Sequence, residues 1–429
     1  MAMQDLVIEK QQSGAAGKVV PAGYKLTEVG VIPEDWECKY LGEFGDIVRG
    51  GSPRPAGDPR YFEGDFIPWL TVASLTAIPD AQQVVMTTSS MLTELGSKHS
   101  RTLEKDTLII SNSGATLGVA KLLGIKCCAN DGVAAIINQR IGNKSFLIHY
   151  INTITKNLHD KVATGNGQPN LNTDLIRLIP VPFPKEKEQG KIAGTLSDCD
   201  NFILKLEKLI AKKQAIKTAA MQQLLTGKTR LPQFALRDDG AAKGYKKSEL
   251  GEIPEDWVVY PFGYIMKIRH GKNQKDVECI DGKYPIYATG GQIGKANSFL
   301  YNKPSVLIGR KGTIDKPRYT NKPFWTVDTL FYSEISESAD AKFIFYQFCT
   351  IDWMQYNEAS GVPSLNASTI ESIKTALPSV EEQTAIAAIL SDMDKEIQTL
   401  QQRLEKNRQL KQGMMQELLT GKTRLIKMG

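Results

Sequence analysis

The chain has no run of about 18 or more uninterrupted apolar residues, the length a membrane-spanning helix needs, so a membrane protein is not expected. No apolar stretch follows the first charges of the N-terminus, and a secretory signal is not expected either. Six cysteines (Cys38, Cys127, Cys128, Cys199, Cys279 and Cys349) form no Cys-x-x-Cys pair; their spacing fits reduced, mostly buried thiols in cytoplasm. The four histidines are scattered, so no zinc or other metal centre is expected.

What is present is 429 residues, too many for one ordinary core and enough for two or three domains. The composition, 41% hydrophobic and 23% charged, is that of a globular protein. A net charge of +6 is mildly basic and says little about partners by its sum; its distribution says more.

Internal repetition dominates the sequence. GYKLTEVGVIPEDW (23–36) matches GYKKSELGEIPEDW (244–257) at 10 of 14 positions, at an offset of 221. A longer block, 188–231, aligns without gaps onto 382–425 at an offset of 194, with 22 identities in 44 positions. The same register pairs Gly167, Pro169, Leu171 and Asn172 with Gly361, Pro363, Leu365 and Asn366. Between these anchors, 37–166 and 258–360 share only scraps such as LIISNSG beside LIGRKG, and they must absorb the 27-residue difference of offset. Similarity confined to blocks implies a common scaffold that carries two different recognition surfaces.

The long block has a helical period. Ile192, Leu196, Cys199, Ile203, Leu206 and Ile210 step by 4-3-4-3-4, the seam of a coiled coil. Ile386, Leu390, Met393, Ile397, Leu400 and Leu404 repeat it. Both seams then meet a polar residue, Lys213 and Asn407, and apolar positions are expected to resume out of phase at Ile216 and Leu410. Gly227 and Gly421 are placed to end the helices in the left-handed conformation. A helix over 188–225 would be about 57 Å long. Burying the seams against each other predicts an antiparallel coiled coil and a pseudo-twofold tandem repeat.

Motifs that look catalytic fail on inspection. TGKT (226–229) resembles the tail of a phosphate-binding loop, but Gln222 and Gln416 stand where that loop needs glycine. Asp35, Glu37 and Lys39 are spaced like the acidic triad of some nucleases, yet the second copy replaces 37–39 with Val258-Val259-Tyr260. GGQIG (290–294) is a glycine-rich turn with no well-marked helix after it. The Asn-Pro-Pro-aromatic signature of amino-methyltransferases occurs nowhere.

The divergent halves read as α/β (α+β), with short strands such as DTLIISNSG, GVAAIIN, PSVLIGRKG and TLFYSEI, a helix after each set, and extended lead-ins RLIPVPFP and KTALPSV to the long helices. Charge in 258–381 is segregated. Lys267, Arg269, Lys272 and Lys275 stand without an acid among them, and Lys303, Arg310, Lys311, Lys316, Arg318 and Lys322 meet only Asp315. Such a face suits phosphate neutralisation, while Asn273, Gln274 and the arginines suit bidentate contacts to base edges. In the first half, Arg49, Arg54 and Arg60 lie in the loop RGGSPRPAGDPR, where a rigid scaffold usually carries recognition.

The paired GYK…IPEDW segments, GNGQPNLN and SGVPSLN, the EQ…LSD…D helix starts and both LLTGKTRL ends, in this order and twice, resemble the specificity subunit of type I restriction-modification enzymes. The resemblance spans about 23 to 425 and implies a non-catalytic protein with two target-recognition domains, each reading half of a split, asymmetric site in double-stranded DNA. It implies that the helices act as a ruler and bind two modification subunits, which are S-adenosylmethionine-dependent adenine methyltransferases. Restriction subunits that use ATP join that core. S-adenosylmethionine, ATP and Mg would belong to those partners, and no cofactor to this chain. The expected layout is a flexible extension (1–22), a first target-recognition domain (23–187), a first spacer helix (188–230), a linker (231–243), a second target-recognition domain (244–381), and a second helix with its tail (382–429). The rival reading is a coiled-coil adaptor whose globular ends bind proteins; it predicts no salt-dependent affinity for DNA.

Overall fold

A computed structural model describes residues 20–114, 116–162 and 170–426. The N-terminal extension up to residue 19, and Gly167 and Pro169 of the GNGQPNLN segment, lie outside the described residues. The chain divides into two compact units, Met1–Leu209 with Gln401–Gly429, and Ile210–Leu400. Four helices organise them: α1 (Lys144–Asn157), α2 (Glu186–Leu224), α3 (Ala341–Phe348) and α4 (Val380–Leu418). The division runs through α2 and α4, so each unit contains one part of each long helix.

In the first unit the main sheet contains β1 (Asp46–Arg49), β2 (Val84–Val85), β3 (Leu108–Ser111), β4 (Ala120–Leu123) and β5 (Val133–Ile137), in the order β1-β5-β3-β4-β2. Alternation along the strands assigns each face to a different core. Leu108, Ile110, Ala134 and Ile136 pack with Phe146, Leu147 and Ile151 of α1, while Ile109, Val133 and Ala135 pack with Leu70, Leu103 and Cys127 of a second sheet. With both faces covered, β3 and β5 read in sequence as unbroken apolar runs.

The second unit repeats this plan. Its main sheet is β6 (Met266–His270), β7 (Ser305–Gly309), β8 (Arg318–Thr320) and β9 (Leu330–Ile335), in the order β6-β9-β7-β8. Val306, Ile308 and Phe331 pack toward α3, and Leu307, Leu330 and Tyr332 toward Phe324 on the other face. Both units keep a parallel strand pair in the second sheet, Cys128 opposite Trp69 and Ile286 opposite Trp325. Most of the length difference therefore lies between those paired strands, in residues 71–126 of one unit and 289–324 of the other. The strands and helices expected from the divergent halves are all present, and GGQIG is the turn and second strand of a β-hairpin.

The repeated sequence blocks meet in two equivalent locks. In the first unit Arg424 donates to both oxygens of Asp35 (2.9 Å each) and to Glu188 (2.6 and 2.8 Å), and the Trp36 indole also donates to Glu188 (3.2 Å). In the second, Arg230 donates to Asp256 (2.8 and 3.0 Å) and Glu382 (2.8 and 2.7 Å), with Trp257 on Glu382 at 3.3 Å. Both tryptophans are fully buried. The adjoining glutamines cap the short helices: Gln189 accepts from the Asn143 amide and Gln383 from the Asp340 amide, each at 2.8 Å. Asn143 and Asp340 are in turn the N-caps of α1 and α3.

Gly227 and Gly421 take positive φ (72° and 70°), as their place after the helices predicts. A Cβ on Gly227 would lie 2.4 Å from Pro254, and one on Gly421 2.5 Å from Pro33. TGKT is thus a helix stop that delivers an arginine to the lock. Asp35 belongs to the lock, and Glu37 pairs with Lys39 at 2.9 Å. Among the described residues no group of three or more His, Cys, Asp or Glu side chains is placed to hold a metal ion.

Inside each unit the long helices run antiparallel. In the first, Asp200 meets Lys411 (2.5 Å) and Glu207 meets Arg408 (2.7 Å); in the second, Lys213 meets Glu396 (2.7 Å) and Lys217 meets Asp394 (2.5 Å). Ile192, Leu196, Ile203, Leu206, Ile210, Ile386, Leu390 and Ile397 are buried, while Met393, Leu400 and Leu404 are half-buried. The expected phase shift does not occur. The heptad continues through Lys213, Lys217 and Leu224, and through Asn407, Lys411 and Leu418, so Ile216 and Leu410 are exposed (44% and 56%). Lysine keeps its place in the seam because its apolar stem packs there while its ammonium reaches an acid across the interface. Of the cysteines, Cys127 and Cys128 are buried and Cys349 is exposed; all six are free thiols.

Candidate nucleic-acid interface

In the first unit β1 ends on Arg49, and the glycine after it is dictated by crowding: a Cβ on Gly50 would lie 2.0 Å from the Asn130 carbonyl. The Gly50 and Gly51 amides donate to Val133 and Ala129, clamping this segment to the turn at 130–132. Arg49 Nε donates to the Asp131 carbonyl (2.6 Å), and the Asp131 carboxylate lies 3.9 Å from Arg49 Nη2 and 3.8 Å from Arg54 Nη2. The Ser52 hydroxyl donates to that carboxylate at 2.7 Å. The Ser52 bond holds the Asp131 carboxyl below the usual carboxylate range against the opposing effect of burial, with the two arginines adding to it.

Two further basic residues join this cluster. Arg101 Nε donates to the Arg49 carbonyl (2.7 Å), and Arg49, Lys98, His99 and Arg101 line an open depression of about 560 Å³. They lie some fifty residues from the Arg49 loop in sequence; the run KHSR (98–101) was the available signal, and only the strand pairing of Arg101–Leu103 with Cys127–Ala129 brings it there. Arg60 is held elsewhere, by three hydrogen bonds to Asp58 and over the Tyr61 ring.

The second unit builds the same approach from different residues. A Cβ on Gly271, after β6, would lie 2.0 Å from the Val327 carbonyl, and the Lys272 amide donates to Thr326. Arg310 Nη1 donates to the Asp328 carbonyl (3.3 Å), and Lys311 beside it is exposed. Arg318 Nη2 donates to the Gly290 carbonyl at the hairpin tip (3.1 Å), and its Nε is buried with no partner among the described residues. Lys316 is exposed nearby in sequence. Asn273 and Gln274 shape the loop, Asn273 accepting from the Lys275 amide and the Gln274 carbonyl from Val277 and Glu278; Lys272, Asn273 and Lys275 are exposed. Lys267 donates to the Gly263 carbonyl, and Arg269 is paired with Glu334 on the neighbouring strand (2.8 Å). Arg310, Lys311 and Lys272 thus gather at the Asp328 turn, whereas Lys267 and Arg269 have partners on their own sheet and the helix preceding it.

Each turn is a shallow, polar, cation-rich surface carried by a rigid sheet edge. Such a surface suits the edge and backbone of a nucleic acid, where arginines supply directional donors and lysines neutralise phosphate.

The sequence profile described as "Type I restriction modification DNA specificity domain" matches the chain twice, over residues 33–218 and 254–408. The type I restriction enzyme MjaVIII specificity subunit of Methanocaldococcus jannaschii is 26% identical over 426 residues, covering 92% of this chain and 94% of that one. The EcoprrI specificity subunit of Escherichia coli is 22% identical over 361 residues, covering 81% and 85%. The S subunit of the type I restriction-modification system of M. genitalium has a similar fold, with a TM-score of 0.62 at 15% identity over 93% of this chain and 99% of that one. A chain of a type I R-M system solved to explain complex assembly and conformational transition gives a TM-score of 0.53 at 15% identity, over 91% and 99%. Two profile matches, which together cover well over half of the chain, establish that it belongs to the type I restriction-modification DNA specificity family.

Proposed function

We propose that this chain is the DNA-reading subunit of a type I complex, with each unit recognising one half of a bipartite, asymmetric site. The observation that carries the reading is that one fold and one lock occur twice, while the cationic turns differ residue by residue: Arg49, Arg54 and Arg101 in one, Arg310, Lys311 and Lys272 in the other. Identical mounting with divergent surfaces is what reading two unlike half-sites requires.

The helix pair sets the spacer between half-sites and docks two methyltransferase subunits. Ile216 and Leu410 support the docking: they stand at equivalent positions of the repeat and are exposed apolar residues outside the seam. The chain itself is non-catalytic; S-adenosylmethionine, ATP and Mg act in the methyltransferase and restriction partners.

Methylation mapping of a host expressing the chain with its modification subunit tests this. Replacing 37–166 with the same region of another family member should change one half-site and leave the other intact; a change in both defeats the two-reader reading. Adding the same few residues to both helices should lengthen the spacer, and an unchanged spacer defeats the ruler. DNA affinity should fall steeply with salt. A salt-independent or absent affinity favours the protein-binding adaptor.

A further inference from the structure

The turn beneath each cationic surface carries an aspartate at the same place. Asp131 precedes β5 and Asp328 precedes β9. The equivalence is geometric. The residue just past β3, Asn112, donates to the Asp131 carbonyl at 3.3 Å, and its counterpart past β7, Arg310, donates to the Asp328 carbonyl at 3.3 Å. A glycine crowds the carbonyls just before each aspartate, Gly50 in one unit and Gly271 in the other.

In both units one arginine is anchored through a single N–H to that turn carbonyl. It comes from different strands: Arg49 from the end of β1, Arg310 from just past β7. One bond leaves the rest of a five-donor guanidinium for other partners. The aspartate of that turn is half-exposed in the first unit (Asp131, 42%), with its carboxylate 3.9 Å from Arg49, and exposed in the second (Asp328).

A carboxylate weakens a surface built only to neutralise phosphate. It is an acceptor without donors, and among base edges it selects the exocyclic amines of cytosine and adenine over the keto oxygens of guanine and thymine, which repel it. The neighbouring arginine has the opposite preference, donating to guanine. We propose that Asp131 and Asp328 are specificity-determining residues, each accepting a hydrogen bond from an amino-bearing base edge of its half-site while Arg49 or Arg310 on the same turn donates to an adjacent base. This rests on the DNA-reading function proposed above and names the residues that discriminate.

The test is competition binding of the full chain, assembled with its methyltransferase subunits, against a duplex library in which every half-site position carries all four bases. Asp131→Asn adds donors at the same shape, so discrimination between amino and keto bases at one position of one half-site should fall about tenfold or more. The other half-site should be unchanged, and affinity for non-target duplex equal or higher. Asp328→Asn should do the same to the other half-site alone, and decides the matter if the first variant does not fold. Unchanged base preference in a variant that still binds DNA overturns the proposal, as does a uniform loss at every position, which marks a structural role. A wild-type complex with no sequence preference at all would instead defeat the DNA-reading function itself.

Discussion

At one place in each unit a short helix is tied to the long helices by three equivalent side chains, and the two ties are built from different chemistry. In the first unit His149 and Asp200 are both almost completely buried, and Lys411 reaches Asp200 at 2.5 Å. Gln83 sits between them, donating to Asp200 (2.8 Å) and lying 2.7 Å from His149 Nε2. In the second unit Tyr346 takes the histidine's place and donates directly to Asp394 at 2.8 Å, with Lys217 completing the set. Asp394 retains 41% of its exposure where Asp200 retains 4%. The same acid and the same lysine therefore face different dielectric surroundings, and the consequences of losing them should differ.

The locks provide the opposite lesson. There the arginine and tryptophan bonds agree one for one, because each lock joins sequence segments that the repeat preserves; Lys243 adds a pair to Asp256 in the second alone. The arginine delivered after each long helix neutralises a glutamate that is only 3% exposed, which ties the helix start to the IPEDW strand. Burial works against the charge on Arg230, but its bonds to Asp256 and Glu382 raise its pKa above the usual arginine value; Arg424 is raised likewise by Glu188 and Asp35.

Arg424→Ala and Arg230→Ala should have the largest and most equal effects. Each leaves a buried carboxylate uncompensated and should cost roughly 3–5 kcal/mol in the unit concerned, read by denaturant unfolding with the buried tryptophan as the reporter. A loss confined to one of the two variants would break the equivalence of the locks. Lys411→Met and Lys217→Met should separate the units: about 3 kcal/mol for the first, which strands buried Asp200, and about 1 kcal/mol or less for the second, where solvent reaches Asp394. Equal costs would remove the dielectric distinction.

The last effect is on pH dependence, and it is small near neutral pH and grows on acidification. Burial, reinforced by the Lys411 charge, pushes His149 from 6.5 down to about 3. Below the unfolded value the unfolded chain binds a proton that the folded chain refuses, so the first unit should lose stability as pH falls from about 6.5 toward 3, by up to about 1.4 kcal/mol per pH unit. His149→Gln should flatten that slope, measured as denaturation midpoints between pH 7 and 5. A slope unchanged by the substitution would place its origin elsewhere.

Much of the fold was legible because it is written in periodicity. The 4-3 steps of Ile192 to Ile210 gave the helix seam, and the short β-rich runs of β3, β5, β7 and β9 gave the strands. Beyond Ile210 the seam carries lysine, which interrupts the apolar pattern along the chain; its ammonium is satisfied by an acid on the other helix, about 180 residues away, which no local pattern shows. Arg101 and Lys98 escaped the candidate surface for the same reason. Arg269, expected there as a free cation, is paired through a strand neighbour that only the sheet register supplies.

The sequence alone determined the duplication, the helical period, the glycine stops and the family to which these belong, because each is a matter of spacing along the chain. Tertiary structure decided what the repeated blocks are for. It brought the arginine after each helix to the tryptophan of the strand it locks, and it set an aspartate beneath each group of cations. Charge pairing acts over a few ångströms of space whatever the separation along the chain, so those assignments existed only once the chain had folded.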